Sequence, residues 1–181
     1  MPPIIKKTYF VLPAGVFVLG LVGFLVNIST VMVYSQLPMY LKTQLNLGSL
    51  EIGFLDGAVE LISYVTRIAS GGLTDFLRHR KMVLSGGYIL AIISKPILVL
   101  AGSALWVFIA QSLDRLSNGI QASPRDALVG DISEKRVRGA SYGLMRSLRT
   151  AGSVVGAVIA ISLMSLTNSN FQLVFAFSIL P

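Results

Sequence analysis

No cysteine occurs among the 181 residues, and the only histidine is His79. Disulfides and thiolate zinc sites are thereby excluded, and a multi-histidine metal centre is impossible. Charge is scarce as well, at 13% of residues against ~25% in an ordinary soluble domain. Too few polar side chains are present to clothe a water-soluble core of this size. What the sequence has instead is apolar: 54% of residues are hydrophobic and the mean hydropathy is +0.75. That balance places the chain in lipid. No nucleophile triad or cofactor loop is present, and Gly71, Gly72, Gly86 and Gly87 sit beside apolar helices, not in a strand-to-helix phosphate turn. We therefore expect no enzyme activity, no cofactor and no metal.

Requiring ~20 apolar residues per crossing yields five complete spans and the start of a sixth. They fall at about 15–40, 52–76, 82–100, 105–122, 142–166 and 171–181. All of 1–181 reads as one all-α polytopic unit. The last stretch, FQLVFAFSILP, reaches only ~16 Å at 1.5 Å per residue, so the chain is expected to stop inside a helix. The opening MPPIIKKTYFVLPAGVFVLGLVGFLV imitates a signal peptide, yet its apolar part is too long and lacks a clear small-residue cleavage site. It reads as an uncleaved first span.

The connections set the orientation. Lys6, Lys7, Arg78, Arg80, Lys81, Arg125, Lys135, Arg136 and Arg138 fall on one side, and Lys42 alone on the other. Nine against one places the N-terminus in the cytoplasm. A net charge of +7 and a pI near 10 are accounted for by this topology, so no nucleic-acid partner is expected.

Charge also enters the spans. Asp56, Glu60, Ser63, Arg67 and Ser70 fall within ~80° of one another on the second helix, forming a single polar stripe. Gln111, Asp114, Arg115 and Asn118 repeat the pattern on the fourth, and the third carries Lys95 followed by Pro96. An ionisable group at membrane depth costs at least ~2.5 kcal/mol on insertion scales, so these faces turn towards a bundle interior or a hydrated cavity. Two uses are open: pairs that only hold helices together, or a state-dependent pathway. Arg146 and Arg149 lie near the cytoplasmic end of the fifth span, where snorkelling accounts for them. Tyr34, Tyr64 and Tyr88 suit packing or the interface, and Trp106 reads as an interfacial anchor.

These motifs resemble the Major Facilitator Superfamily along the whole chain. GGLTDFLRHRK at 71–81 is similar to the family's motif A: Gly71 and Asp75 match, and Arg80 and Lys81 fill basic slots. Phe76, Arg78 and His79 depart from it. DRLSNGIQASPRDALVGD resembles motif B, with Arg115 and Gly119, joined to a bacterial branch signature ending in PRDAL. TAGSVVGAVIA resembles the glycine-rich fifth helix of exporters, with Gly152 and Gly156 as packing positions, while Ala157 stands where those antiporters often carry proline.

The resemblance implies the N-terminal half of a secondary transporter in a bacterial inner membrane. Such a protein moves a small solute, a metabolite or drug, by alternating access, with inverted three-helix repeats and protons as a candidate coupling ion. Asp56, Glu60, Arg67, Lys95, Asp114 and Arg115 are the expected cavity or coupling residues, and Gly71, Asp75, Arg80 and Lys81 the conformational latch. The expected partners are the solute, the bilayer, and a C-terminal six-helix half or second copy. The alternative is a truncated, non-transporting membrane protein that assembles with or regulates a partner.

Overall fold

The computed structural model describes residues 12–77, 80–167 and 170–180, with only the backbone of 73–77. Among them there is no strand. Six helices follow in order: α1 Ala14–Thr43, α2 Ser49–Leu77, α3 Arg80–Val99, α4 Ala104–Ile132, α5 Arg138–Leu166 and the short α6 Phe171–Phe177. At 1.5 Å per residue the 29-residue α2, α4 and α5 are each ~43 Å long, more than a ~30 Å hydrocarbon core. By length and composition α1, α3 and α5 qualify as membrane spans. The charged stripes separate α2 and α4 from those three.

The helices pair across the chain. α1 packs along α5, α4 lies between α2 and α3, and α6 closes against α1 and α3. The first helix of each three-helix set thus packs on the second helix of the other set.

Small residues permit the α1–α5 approach. A Cβ at Gly152 would collide with the backbone carbonyl of Phe24, and one at Gly156 would stand 2.6 Å from the Ile28 oxygen. From the other side, Gly23 receives the stem of Arg149, with Cγ 2.8 Å from where its own Cβ would be. The Asn27 amide then donates to the Arg149 carbonyl at 2.6 Å and to Ser153 Oγ at 2.8 Å. Close backbones, held by a polar clasp, replace the hydrophobic drive that is lacking between helices in lipid. Gly119 plays the same part between α4 and α2, against Thr66.

At the end of the bundle that holds the α3–α4 turn the core gathers around Tyr40, whose hydroxyl donates to the Ala101 carbonyl at 2.7 Å. Its ring meets Phe171 and Phe175 edge to face at 5.7 and 5.3 Å, tying α1 and α6 to the α3–α4 turn. The α1–α2 turn uses Asn46 in the left-handed region (φ 53°), and Glu51 reaches back to the Gly48 amide at 2.8 Å.

Two helix ends differ markedly from the sequence expectation: the last helix was expected to run on through 181, yet α6 ends at Phe177 with Ser178 as its C-cap. The fourth helix was expected to stop at 122, before SPRDAL, yet α4 continues through Pro124 to Ile132. A proline inside a membrane helix persists where neighbours satisfy the freed groups. The group Pro124 frees is the Ile120 carbonyl; separately, the turns after Pro124 are tied to other elements, as Arg80 donates to the Ala127 carbonyl at 3.5 Å, Tyr142 to Asp126 at 2.7 Å and Arg138 to Gly130 at 3.0 Å. Cations at a helix C-terminus also match its dipole. Arg125 consequently lies in the bundle and not in a loop.

Candidate functional site

α2 and α4 run in the same direction, and their charged stripes meet at matched depth. Glu60 Oε2 lies 3.5 Å from Arg115 Nε. Both carboxylate and guanidinium keep partial exposure, 45% and 26%. Tyr34 of α1 supplies the third wall, its ring face 4.1 Å from the guanidinium carbon, a cation–π contact. Among the described residues Tyr34 Oη, Arg115 Nε and both side-chain polar atoms of Gln111 are buried without a hydrogen bond. Buried polar atoms are ordinarily paired, so this cluster has hydrogen-bonding capacity to spare. Asp56, one turn before Glu60 on α2, is exposed and within electrostatic range of Arg115.

The other stripe charges part company with this group. Lys95 Nζ pairs with Asp114 Oδ1 at 3.0 Å between α3 and α4, both side chains more than nine-tenths buried. Ser94 adds a contact to the same oxygen at 3.4 Å, and the Asn118 amide donates to Oδ2 at 3.3 Å. This carboxylate is saturated from its own bundle, so here the helix-holding use fits better than an open pathway. Arg67 sits seven residues, ~10 Å, along α2 from Glu60. It lines a separate cleft with Arg125, Arg146 and Arg149.

Of the motif A positions, Arg80 forms an ion pair with Asp131 and so joins the start of α3 to the end of α4. Lys81 is exposed, and a Cβ at Gly71 would stand 3.9 Å from Ser123 Oγ, an ordinary contact. Asp75 belongs to the last turns of α2, but its side chain lies outside the described residues, as do Arg78, His79, Lys6 and Lys7. Gly152 and Gly156 stand in the α1–α5 seam.

Three participants escaped sequence reasoning. Tyr34 gives no sign of its guanidinium partner, which comes from a helix 81 positions away. Asp131 gives no sign of Arg80 as its partner, and Arg125 reads as one more charge of the basic side. Its helical spacing from Asn118 and Arg115 was the available signal, had the helix been carried past Pro124.

A bundle of long helices, apolar outside and charged where three of them converge, defines a multi-pass membrane protein with an internal polar site. The model of the Major Facilitator Superfamily matches residues 19–181, and the chain belongs to that family. It is 35% identical over 150 residues to an uncharacterised MFS-type transporter of Methanocaldococcus jannaschii, covering 83% of this chain and 37% of the relative. An uncharacterised Mycobacterium tuberculosis protein is 26% identical over 160 residues, covering 86% and 38%. The multidrug resistance protein MdtH of Proteus mirabilis is 26% identical over 145 residues, covering 80% and 36%. The chain therefore spans under two-fifths of the length of these relatives.

Proposed function

We propose that the intact protein is a secondary transporter moving a small solute, a metabolite or drug, by alternating access, and that this chain is its N-terminal six-helix half. The observation that carries the reading is the Glu60–Arg115–Tyr34 cluster. An ion pair meant only for stability would be sealed as Lys95–Asp114 is, yet this one keeps an open side near mid-membrane. Each of its charges stands ~16 Å from the outer end of a ~43 Å helix.

In this mechanism Arg115 is the ion-pair partner of Glu60 in one state. A solute or proton that reaches Glu60 replaces that partner and frees Arg115 for another arrangement, which is the bistability that alternating access needs. Protons are the coupling ion in this reading, with Glu60 as carrier. The carbonyl and amide of Gln111 and the face of Tyr34 orient the solute. A C-terminal six-helix half, or a second copy, closes the cavity. The location is the bacterial inner membrane with the N-terminus cytoplasmic, which the basic residues of one side support. A drug as solute is supported by the name of the Proteus relative.

Intact protein reconstituted in proteoliposomes, given a panel of cationic drugs and zwitterionic metabolites under an imposed pH gradient, tests the reading. Gradient-driven flux is expected for at least one solute. Folded protein that shifts in melting temperature with none of them and moves none of them sinks the proposal and favours the non-transporting alternative.

A further inference from the structure

We infer that the cleft lined by Arg67 of α2, Arg125 of α4, and Arg146 and Arg149 of α5 binds a phosphate-class oxyanion. It measures about 380 Å³, and its remaining lining is formed by Ala122, Ser123, Asp126, Tyr142 and Met145. Among the described residues four arginines thus share the cleft with a single carboxylate. Guanidinium does not shed its proton, so this excess of positive charge cannot be relieved by titration. It is relieved by an anion.

Arg125 makes the requirement acute. It is 6% exposed, its Nε has no hydrogen-bond partner among the described residues, and its ion-pair partner Asp126 stands 3.6 Å away with its own side chain 57% exposed. A buried, half-matched guanidinium is costly unless a further acceptor reaches it. Tyr142 is committed to the Asp126 carbonyl and cannot serve.

Arg149 is built into place: its stem fills the notch at Gly23, and its carbonyl is held by Asn27. Two arginines one turn apart on α5, with Arg125 and Arg67 opposite, present several planar forks to one volume. A dianionic phosphate offers oxygens to more than one fork and offsets more of the excess than a single carboxylate does. The four positions lie ~10–16 Å from the basic-side ends of their ~43 Å helices, nearer to that end than to the other. A free phosphate ester and the phosphodiester of an anionic lipid share this chemistry and can both reach that level. The inference stands independently of the Glu60–Arg115 reading, because no residue is shared.

The test uses the intact protein in uncharged detergent, with radiolabelled inorganic phosphate in equilibrium dialysis at constant ionic strength. Native mass spectrometry from phosphatidylcholine nanodiscs with and without phosphatidylglycerol runs beside it. Wild type is expected to bind one phosphate saturably, or to retain one phosphatidylglycerol. Arg146→Gln with Arg149→Gln lowers affinity about tenfold or more. Phosphate binding lost in the variant identifies a soluble oxyanion as ligand. Retention of phosphatidylglycerol alone, lost in the variant, identifies a headgroup, and either result supports the site. Should the double variant not fold, Arg146→Gln alone, at an exposed side chain, is read in the same way. Neither ligand bound by folded wild type, or equal binding by the variant, overturns the inference, as it would if carboxylates of a C-terminal half already occupy the arginines.

Discussion

Glu60 and Arg115 occupy the same rung of two parallel helices: each is the twelfth residue of a 29-residue helix, and their charged atoms lie 3.5 Å apart. Equal depth is what allows two short-range partners to meet across a seam kept tight by Gly119 against Thr66. Because the pair is partly open, its contribution to stability is small, ~1 kcal/mol or less. Its consequence lies in function.

Glu60→Gln is therefore expected to leave the melting temperature of the intact protein within a few degrees of wild type, in line with a loss of ~1 kcal/mol or less. Gradient-driven flux in proteoliposomes is expected to vanish, because the amide cannot carry a proton. Undiminished coupled flux in E60Q would remove Glu60 from the mechanism.

Lys95–Asp114 gives the opposite expectation. Removing one partner, as in Lys95→Met, leaves a carboxylate buried with only Ser94 and Asn118 for company. The cost is ~3–5 kcal/mol. Replacing both, in K95M with D114L, removes the stranded charge and recovers much of that loss. Thermal unfolding of the two single variants and the double one closes the cycle; additive losses would show that the two charges do not compensate each other.

The glycines of α5 separate packing from helix propensity. At Gly156 a Cβ would press on the Ile28 backbone, which cannot yield as a flexible side chain can. Gly156→Ala is expected to destabilise by ~1–3 kcal/mol, the usual range for overpacking. Gly143→Ala, on the same helix with nothing within 4 Å, is expected to stabilise by ~0.5–1 kcal/mol. Equal effects in thermal unfolding would mean that α1 and α5 do not depend on this seam.

Most of the helix count was legible because apolar runs of membrane length admit few other folds. Stripe membership was legible too, since ~100° per residue places Glu60 and Arg67 on one face. Partner choice was not. A stripe has a direction and no depth, and depth decides that Glu60 meets Arg115 while Arg67 meets the arginines of α4 and α5. The end of α4 was hidden for a related reason. The donors that satisfy its carbonyls, Arg80, Tyr142 and Arg138, come from the two neighbouring helices. Pro124 alone reads as a stop.

Gly23 is a packing residue whose neighbour, Arg149, lines the anion cleft. A methyl group at this position would meet Arg149 Cγ at 2.8 Å and Cδ at 3.1 Å, the middle of a flexible stem and not backbone. The stem can move aside, so Gly23→Ala should cost little stability, well below Gly156→Ala. Moving it, however, swings the guanidinium out of register with Arg146, and one charge-assisted hydrogen bond to the oxyanion is weakened. Phosphate or phosphatidylglycerol affinity is expected to fall about three- to tenfold, the equivalent of roughly 0.7–1.4 kcal/mol. The variant changes no charge, so a loss of affinity in equilibrium dialysis reports geometry and not net electrostatics. Affinity equal to wild type in folded G23A would mean that the position of Arg149 does not set binding, and the cleft would then act as a diffuse patch of positive charge.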